Sequence, residues 1–293
     1  MITPKITVVG SINMDLVTTA SSFPMQGETI KGSKFRTCPG GKGANQAVAA
    51  SRLGADVTLI GCVGSDDFGK ELKGRLLKEN IQVDHLNVIQ GSSTGIASIT
   101  VSNHDNSIII VPGANDFLSP EIISEKEELI AESDLLLLQL EIPIPTVIKA
   151  AEIAKKHSVK ILINPAPIEQ LPNSLLEMAD YLTPNEHEMT YFKNNKPIQE
   201  KMIVTHGSKG VIFTENSEEK RIEAHRVKVV DTTGAGDTFN GALAVSLSKG
   251  DSLEQACRFG NAAAALSVMK FGAQGGMPVI EEVKKILLND KPG

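Results

Sequence analysis

An aspartate that closes a glycine-bearing run and opens a helix can take up a proton beside an anion. This sequence has one in Asp231-Thr-Thr-Gly-Ala-Gly-Asp237, ahead of a helix expected over Thr238–Lys249. Glycines permit tight or left-handed backbone that turns successive N–H groups toward one point. At a helix N-terminus, with its partial positive charge, those groups form an anion hole. Asp237 could accept a proton from a hydroxyl nucleophile while the Ala235 and Gly236 N–H groups hold charge on a transferred phosphoryl group. The plainer alternative is an N-capping aspartate after a glycine turn.

A second glycine cluster, Pro39-Gly-Gly-Lys-Gly-Ala-Asn45, leads into a helix expected over Ala44–Leu53. Gly40, Gly41 and Gly43 let the backbone approach a small ligand closely, while Lys42 and Asn45 supply a cation and an amide. Asn13 and Asp15 follow the first expected strand, and Glu141 follows another. Ligands of open α/β sheets bind at such strand ends. Amide and carboxylate side chains also give the paired donors and acceptors that a polyol needs. Singly, each reads as a solvated loop residue; together with the glycine turn they read as a sugar pocket.

Two further segments suit a nucleotide. Thr205-His-Gly-Ser-Lys-Gly210 ends a strand with two glycines and hydroxyl donors, as a phosphate tail requires. Asn185-Glu-His-Glu188 follows Leu182-Thr-Pro184 and is expected to start a helix. Its Glu188 could orient water on Mg²⁺, which keeps much of its hydration shell. A turn and a helix cap is the alternative for this pair. Other nucleotide motifs are excluded. Lys42 is followed by Gly43 and Lys70 by Glu71, so no Walker loop exists. Gln46 and Phe239 stand where the third glycine of a dinucleotide fingerprint belongs.

These residues need elements to hold them. Ile6–Val9, Val57–Cys62, Leu135–Leu140, Ile161–Asn164, Lys201–Thr205 and Val211–Thr214 are short aliphatic runs without polar alternation, the pattern of parallel strands covered on both faces. Between them lie helical spacings: Phe68, Leu72 and Leu76, then Phe239, Ala242, Leu243 and Leu247. Helices are also expected at Pro145–His157, Ser252–Met269 and Pro278–Leu288. The order predicts a doubly wound, mostly parallel α/β sheet sandwiched by helices, as one domain over 1–293. Gly27–Cys38 alternates like a half-exposed antiparallel strand, and Gly95–Ser102 and Ser107–Val111 flank the turn-rich Asn103-His-Asp-Asn106. They predict a small inserted β-sheet at about 14–38 and 94–112, either surface hairpins or a lid over a cleft.

Bulk features narrow the partners. The chain has 293 residues, a net charge of −6, 4% aromatics and no Trp, which argues against a basic nucleic-acid surface or a base-stacking platform. Its three cysteines are far apart and form no Cys-x-x-Cys pair, so a reducing, cytoplasmic setting is expected. No charged segment followed by an apolar run opens the sequence, and no aliphatic run approaches the ~20 residues that span a bilayer.

Over essentially its whole length the sequence resembles the phosphofructokinase-B (PfkB) family of carbohydrate and nucleoside kinases. The resemblance runs through Val9-Gly-Ser-Ile-Asn-Met-Asp15, Gly-Gly-Lys-Gly-Ala-Asn-Gln-Ala47, Val111-Pro-Gly-Ala-Asn115, Asn164-Pro-Ala-Pro167 and Thr183-Pro-Asn-Glu186. It continues in Asp231-Thr-Thr-Gly-Ala-Gly-Asp-Thr-Phe239 and Gly272-Ala-Gln-Gly275. The Gly-Ala-Gly-Asp element implies a kinase. The Gly-Gly-Lys-Gly-Ala-Asn form with Asn13-Met-Asp15 implies ATP-dependent phosphorylation of D-ribose at its 5-hydroxyl. By that resemblance Asn13, Met14, Asp15, Gly41, Lys42, Gly43, Ala44, Asn45, Glu141 and Asp237 contact the sugar, Asp237 also as the base beside the Ala235 and Gly236 N–H groups. Asn185, Thr205, His206, Gly207, Ser208, Lys209, Gly210, Gly236 and Asn261 line the ATP site, with Mg²⁺ near Glu188. Activating K⁺ falls to Asp231, Thr233, Ser267, Lys270, Gly272 and Gly276, mostly through backbone carbonyls, and the lid implies a homodimer. One departure is visible: only about ten residues, Phe192 to Lys201, stand where the family usually has a further helix. The alternatives are a family kinase for fructose, a deoxysugar or a nucleoside, and a non-catalytic sugar sensor.

Overall fold

Aliphatic runs with no polar face have to be covered on both sides, and here they are. Leu135–Leu138 is wholly buried, with Lys5–Val9 beside it exposed only at Lys5. In the computed structural model, which describes residues 3–102, 105–192 and 196–289, these two and four further strands form a parallel sheet. Their order is Tyr181–Leu182, Lys160–Ile163, Leu135–Leu138, Lys5–Val9, Asp56–Ile60 and Ile81–Gln82. The chain builds outward from Lys5–Val9 in one direction, then returns to that strand's other side at Leu135–Leu138, with Val9 opposite Leu138. Ser11 and Glu141 lie just past the carboxyl ends of these two strands, in contact with one another, at the edge where open α/β sheets bind ligands.

One core lies on each side of the sheet. Ala47, Leu243 and Ala263 belong to the first, from helices Lys42–Arg52, Ala235–Ser248 and Leu253–Ser267. Val147 and Ala151 of helix Ile144–Lys156 belong to the second. Small residues set the spacing in the first core. A Cβ on Gly241 would come within 2.6 Å of Ala49 Cβ and 2.7 Å of the Gln46 carbonyl oxygen. The two helices therefore cross closely enough for the start of one to reach the start of the other.

The inserted strands form a separate sheet in the order Lys34–Gly40, Asn13–Thr19, Gly95–Ser102 and Asp105–Val111. Asn13 pairs with Gly40 on one side and Gly95 on the other. The outer strand Asp105–Val111 is exposed along its length, including Ile108, Ile109 and Ile110.

Several expectations need correction. Lys201–Thr205 meets the parallel sheet only through isolated bridges, and Val211–Thr214 does not extend it. Ile203–Thr205, Val211–Glu215 and Glu218–Ile222 form an antiparallel meander, joined to the main sheet's edge by parallel bridges at Leu182–Met202 and Asn185–Thr205. Val57–Cys62 breaks at Gly61, where a Cβ would meet the Gly10 carbonyl oxygen at 2.8 Å; Cys62–Gly64 then pairs with Asn87–Ile89. The alternating segment Gly27–Cys38 becomes a strand only over Lys34–Gly40. Asn13 and Asp15 sit in a strand of the inserted sheet, which begins at Asn13, one residue before the expected segment. After Asn185 there is a 3₁₀ turn, Glu188–Tyr191, in place of the expected helix. The short connection from Phe192 carries another 3₁₀ turn, Lys196–Lys201, with Ile198 in the core. Of the Asn103–Asn106 turn, Asn103 and His104 lie outside the described residues, and the outer strand already begins at Asp105.

Candidate active site

Asp237 lies in the first turn of helix Ala235–Ser248, behind Gly234 in the left-handed conformation at φ 78°. A Cβ on Gly234 would come within 2.8 Å of both Cα and Cβ of Ala273, so the turn needs glycine for conformation and for space. Gly236 faces open space. The close helix crossing brings two consecutive amides to the carboxylate: Asn45 Nδ2 donates to Oδ2 at 2.9 Å and Gln46 Nε2 donates to Oδ1 at 3.0 Å. Burial pushes the Asp237 carboxyl above its ordinary range, opposed by Lys42 and by these two amides.

Gln46 is itself held. Its Nε2 also donates to Asn164 Oδ1 at 3.1 Å, and its Oε1 accepts from Gln139 at 2.6 Å. Asn164 donates to the Thr183 carbonyl, Thr183 bonds the Asn240 side chain at 2.5 Å, and Asn240 donates to the Gly236 carbonyl at 2.9 Å. A continuous hydrogen-bond network thus fixes both the carboxylate and the Gly234–Gly236 turn.

Next to it are the residues of the sugar reading. Glu141 Oε2 accepts from Ser11 Oγ at 2.6 Å and from the Lys42 backbone N–H at 3.0 Å, filling the role of a cap for helix Lys42–Arg52. Asn13 Oδ1 accepts from Asn115 Nδ2 at 2.8 Å, and Asn115 Oδ1 accepts from the Ile12 N–H at 2.9 Å. Asn13 and Asp15 share one strand face, while Met14 between them is wholly buried in the core and can offer the site only backbone. Gly40 makes room for the Asp15 carboxylate, since a Cβ there would be 2.3 Å from Oδ1. Burial, then Glu141 and Asp237, push the Asp15 carboxyl up to about 7 against Lys42. Burial pulls the Lys42 ammonium down, but Asp237, Glu141, Glu188 and Asp15 outweigh it and hold the group above its ordinary range. Gly41 adopts φ 87°, and Gly43 and Ala44 pack their backbone on Gly10 and Ser11.

A cavity of about 800 Å³ lies beside the Gly234–Gly236 turn, lined by Asn185, Thr205, Gly207, Ser208, Gly210, Ala235, Gly236, Phe239 and Asn261 among others. It shares Asn185, Thr205 and Gly236 with a polar cleft of about 150 Å³ that also holds Lys42, Glu188 and Asp237. Gly236 therefore stands where the two spaces meet. Asn261 donates to the Glu223 carbonyl at 2.7 Å. His206 and Lys209 do not line the cavity: His206 Nδ1 lies 2.6 Å and Lys209 Nζ 3.3 Å from Glu186 Oε1. Glu188 accepts from the Asn185 N–H at 2.9 Å and from its Nδ2 at 2.8 Å; burial raises its carboxyl, with Asn185 and Lys42 opposing.

The residues of the cation reading converge next to Gly234. Asp231 Oδ1 accepts from both Thr233 N and Oγ1, and Oδ2 accepts from Gly272 N at 2.9 Å. A Cβ on Gly276 would fall 2.0 Å from the Ser267 carbonyl oxygen. The Lys270 ammonium is 3.7 Å from Glu282, which leaves its carbonyl as the group it can offer. Among the described residues, no three His, Cys, Asp or Glu side chains cluster as a metal site.

Ser11, Gln46, Gln139, Asn240 and the amide of Asn115 were not singled out from the sequence as site residues. Only Gly10 carries a hint: a Cβ there would overlap Gln139 Oε1 at 2.0 Å.

The profile described as pfkB family carbohydrate kinase matches residues 3–280. The chain belongs to the pfkB family. Ribokinase of Bacillus subtilis (strain 168) is 44% identical to it over 290 residues, covering 97% of this chain and 99% of that one. The crystal structure of a ribokinase from Thermotoga maritima superposes with a TM-score of 0.88 at 38% identity, covering 97% and 99% of the two chains. The structure of Arabidopsis thaliana ribokinase complexed with ribose and ATP gives a TM-score of 0.90 at 33% identity, covering 98% and 99%. As a pfkB carbohydrate kinase the chain is an enzyme of phosphoryl transfer. No helix among its described residues is long and apolar enough to cross a membrane.

Proposed function

We propose that this kinase transfers the terminal phosphoryl group of ATP to the 5-hydroxyl of D-ribose. The observation that carries the reading is the position of Gly236. It joins a cavity large enough for a nucleotide to the cleft where Asp237 and Lys42 lie. ATP occupies the larger space with its phosphates toward the Gly236 N–H group, since the Ala235 N–H expected beside it is held by the Thr232 carbonyl at 3.2 Å, and the sugar lies among Asn13, Asp15, Lys42, Asn45 and Glu141. Asp237 accepts the hydroxyl proton as the oxygen attacks in line. The helix N-terminus and Lys42 hold the charge that develops. Similarity to ribokinases supports ribose over other sugars.

Mg²⁺ fits a site with few protein ligands, because it is bound chiefly by substrate phosphates and water. Glu188, buried and tied to Asn185, would hold one such water, and the ion's chemistry is neutralisation of phosphate charge. K⁺ fits the loops at Asp231–Thr233 and Ser267–Gly276, whose carbonyls and carboxylate adjoin the anion-hole turn. The exposed isoleucines of strand Asp105–Val111 support a homodimer formed through the lid. Phosphorus NMR of the product tests the central reading: ribose 5-phosphate supports it, and a phosphate on any other hydroxyl overturns it.

A further inference from the structure

Asn45 Oδ1, the end of the amide that does not face Asp237, accepts a hydrogen bond from Gln274 Nε2 at 3.0 Å. A carboxylate on one side can only accept, and an amide NH₂ on the other can only donate. Between them the Asn45 amide has one satisfying orientation, with NH₂ toward Asp237. Both Asn45 and Gln274 are buried. The backbone under Gln274 is clamped as well. Arg52 Nη1 donates to the Gln274 carbonyl at 2.6 Å and to the Met277 carbonyl at 3.0 Å, while Nε and Nη2 form a fork on Glu79 at 2.8 and 2.6 Å. Gln274 is absent from the walls of the nucleotide cavity and, among the described residues, its side-chain bond toward Asp237 runs through Asn45.

We propose that Gln274 is a positioning residue for the transfer, orienting the Asn45 amide on Asp237. This rests on the reading of Asp237 as base. Gln274→Met removes the donor but keeps the length and the carbonyl held by Arg52. Gln274→Glu keeps shape and volume but turns an acceptor toward Asn45 Oδ1, so the amide is driven to rotate away from Asp237. Steady-state kinetics on both variants, on Asn45→Ala, and on Asn45→Ala combined with Gln274→Met provide the test. Each Gln274 variant is expected to lose about ten-fold in kcat with KM for ATP unchanged, the loss that follows from weakening one hydrogen bond to a charged group. In the Asn45→Ala background the Gln274→Met change costs less than about two-fold further, because its path is already cut. Wild-type kcat in either folded Gln274 variant overturns the proposal, as do losses that multiply in the double variant. Asp237→Asn, measured alongside, separates the two ideas: near-normal turnover there removes the base, whereas its loss together with multiplying effects removes only the role of Gln274.

Discussion

Gln46 donates to Asp237 Oδ1 at 3.0 Å across 191 positions of sequence, while its neighbour Asn45 donates to Oδ2. Consecutive residues of one helix therefore hold both oxygens of a carboxylate on another. This leaves Asp237 little freedom except to receive a proton from the cleft. Asp237→Asn presents an amide to two amide donors and cannot accept that proton. Turnover is expected to fall by at least ~10²-fold. Calorimetry should find ribose and ATP binding retained, because neither the lid residues nor the nucleotide cavity is altered.

Gly236 and Gly43 separate a chemical role from a structural one. A Cβ on Gly236 meets nothing within 4 Å, whereas one on Gly43 comes within 2.5 Å of the Gly10 carbonyl carbon. Gly236→Ala is expected to match or exceed wild-type thermal stability, since alanine favours helix by about 1 kcal/mol, while occupying space at the anion hole and reducing kcat. Gly43→Ala is expected to lower the melting temperature or prevent folding. Thermal melts with parallel turnover assays distinguish these outcomes.

Asp15 gives a pH dependence of definite sign. Its carboxyl is pushed from 3.8 up to about 7 in the folded chain. Between those values the unfolded chain has released the proton and the folded chain has kept it. Stability contributed by this group is therefore full below about pH 4, is lost as pH rises, and is gone above about pH 7. Asp15→Asn should raise the melting temperature of the ligand-free protein at pH 8, with the difference vanishing near pH 4. Ribose affinity should fall in the same variant.

Ile109 lies exposed on the outer lid strand. If the lid clasps a second copy, Ile109→Lys places a charge in an apolar interface, and sedimentation should shift from dimer to monomer. A wild-type protein that sediments as a monomer removes the clasp.

Much of this site was legible where glycine spacing and chemistry coincide. The Asp231–Asp237 and Pro39–Asn45 runs fold as helix entrances, and Asn13, Asp15 and Glu141 gather beside them. Gln46 was not singled out, because an amide one turn into a helix acquires meaning only when another helix crosses it, and the crossing depends on Gly241 against Ala49. Ser11 and Gln139 likewise depend on partners more than 90 positions away. Strand direction was harder still. Val211–Glu215 is as apolar as a parallel strand but pairs antiparallel, because two short turns leave no room for a crossover helix. His206 and Lys209 carried the right chemistry for phosphate, but Glu186 holds them outside the cavity.

The central claim is phosphoryl transfer to ribose by a base held in this network. ADP release, measured with ribose, 2-deoxyribose, fructose and adenosine, each with and without K⁺, tests it most directly. The proposed reading predicts turnover that is strongest with ribose and stimulated by K⁺. No sugar-dependent ADP release with any of the four would contradict the account and leave a sugar-binding protein on a kinase scaffold.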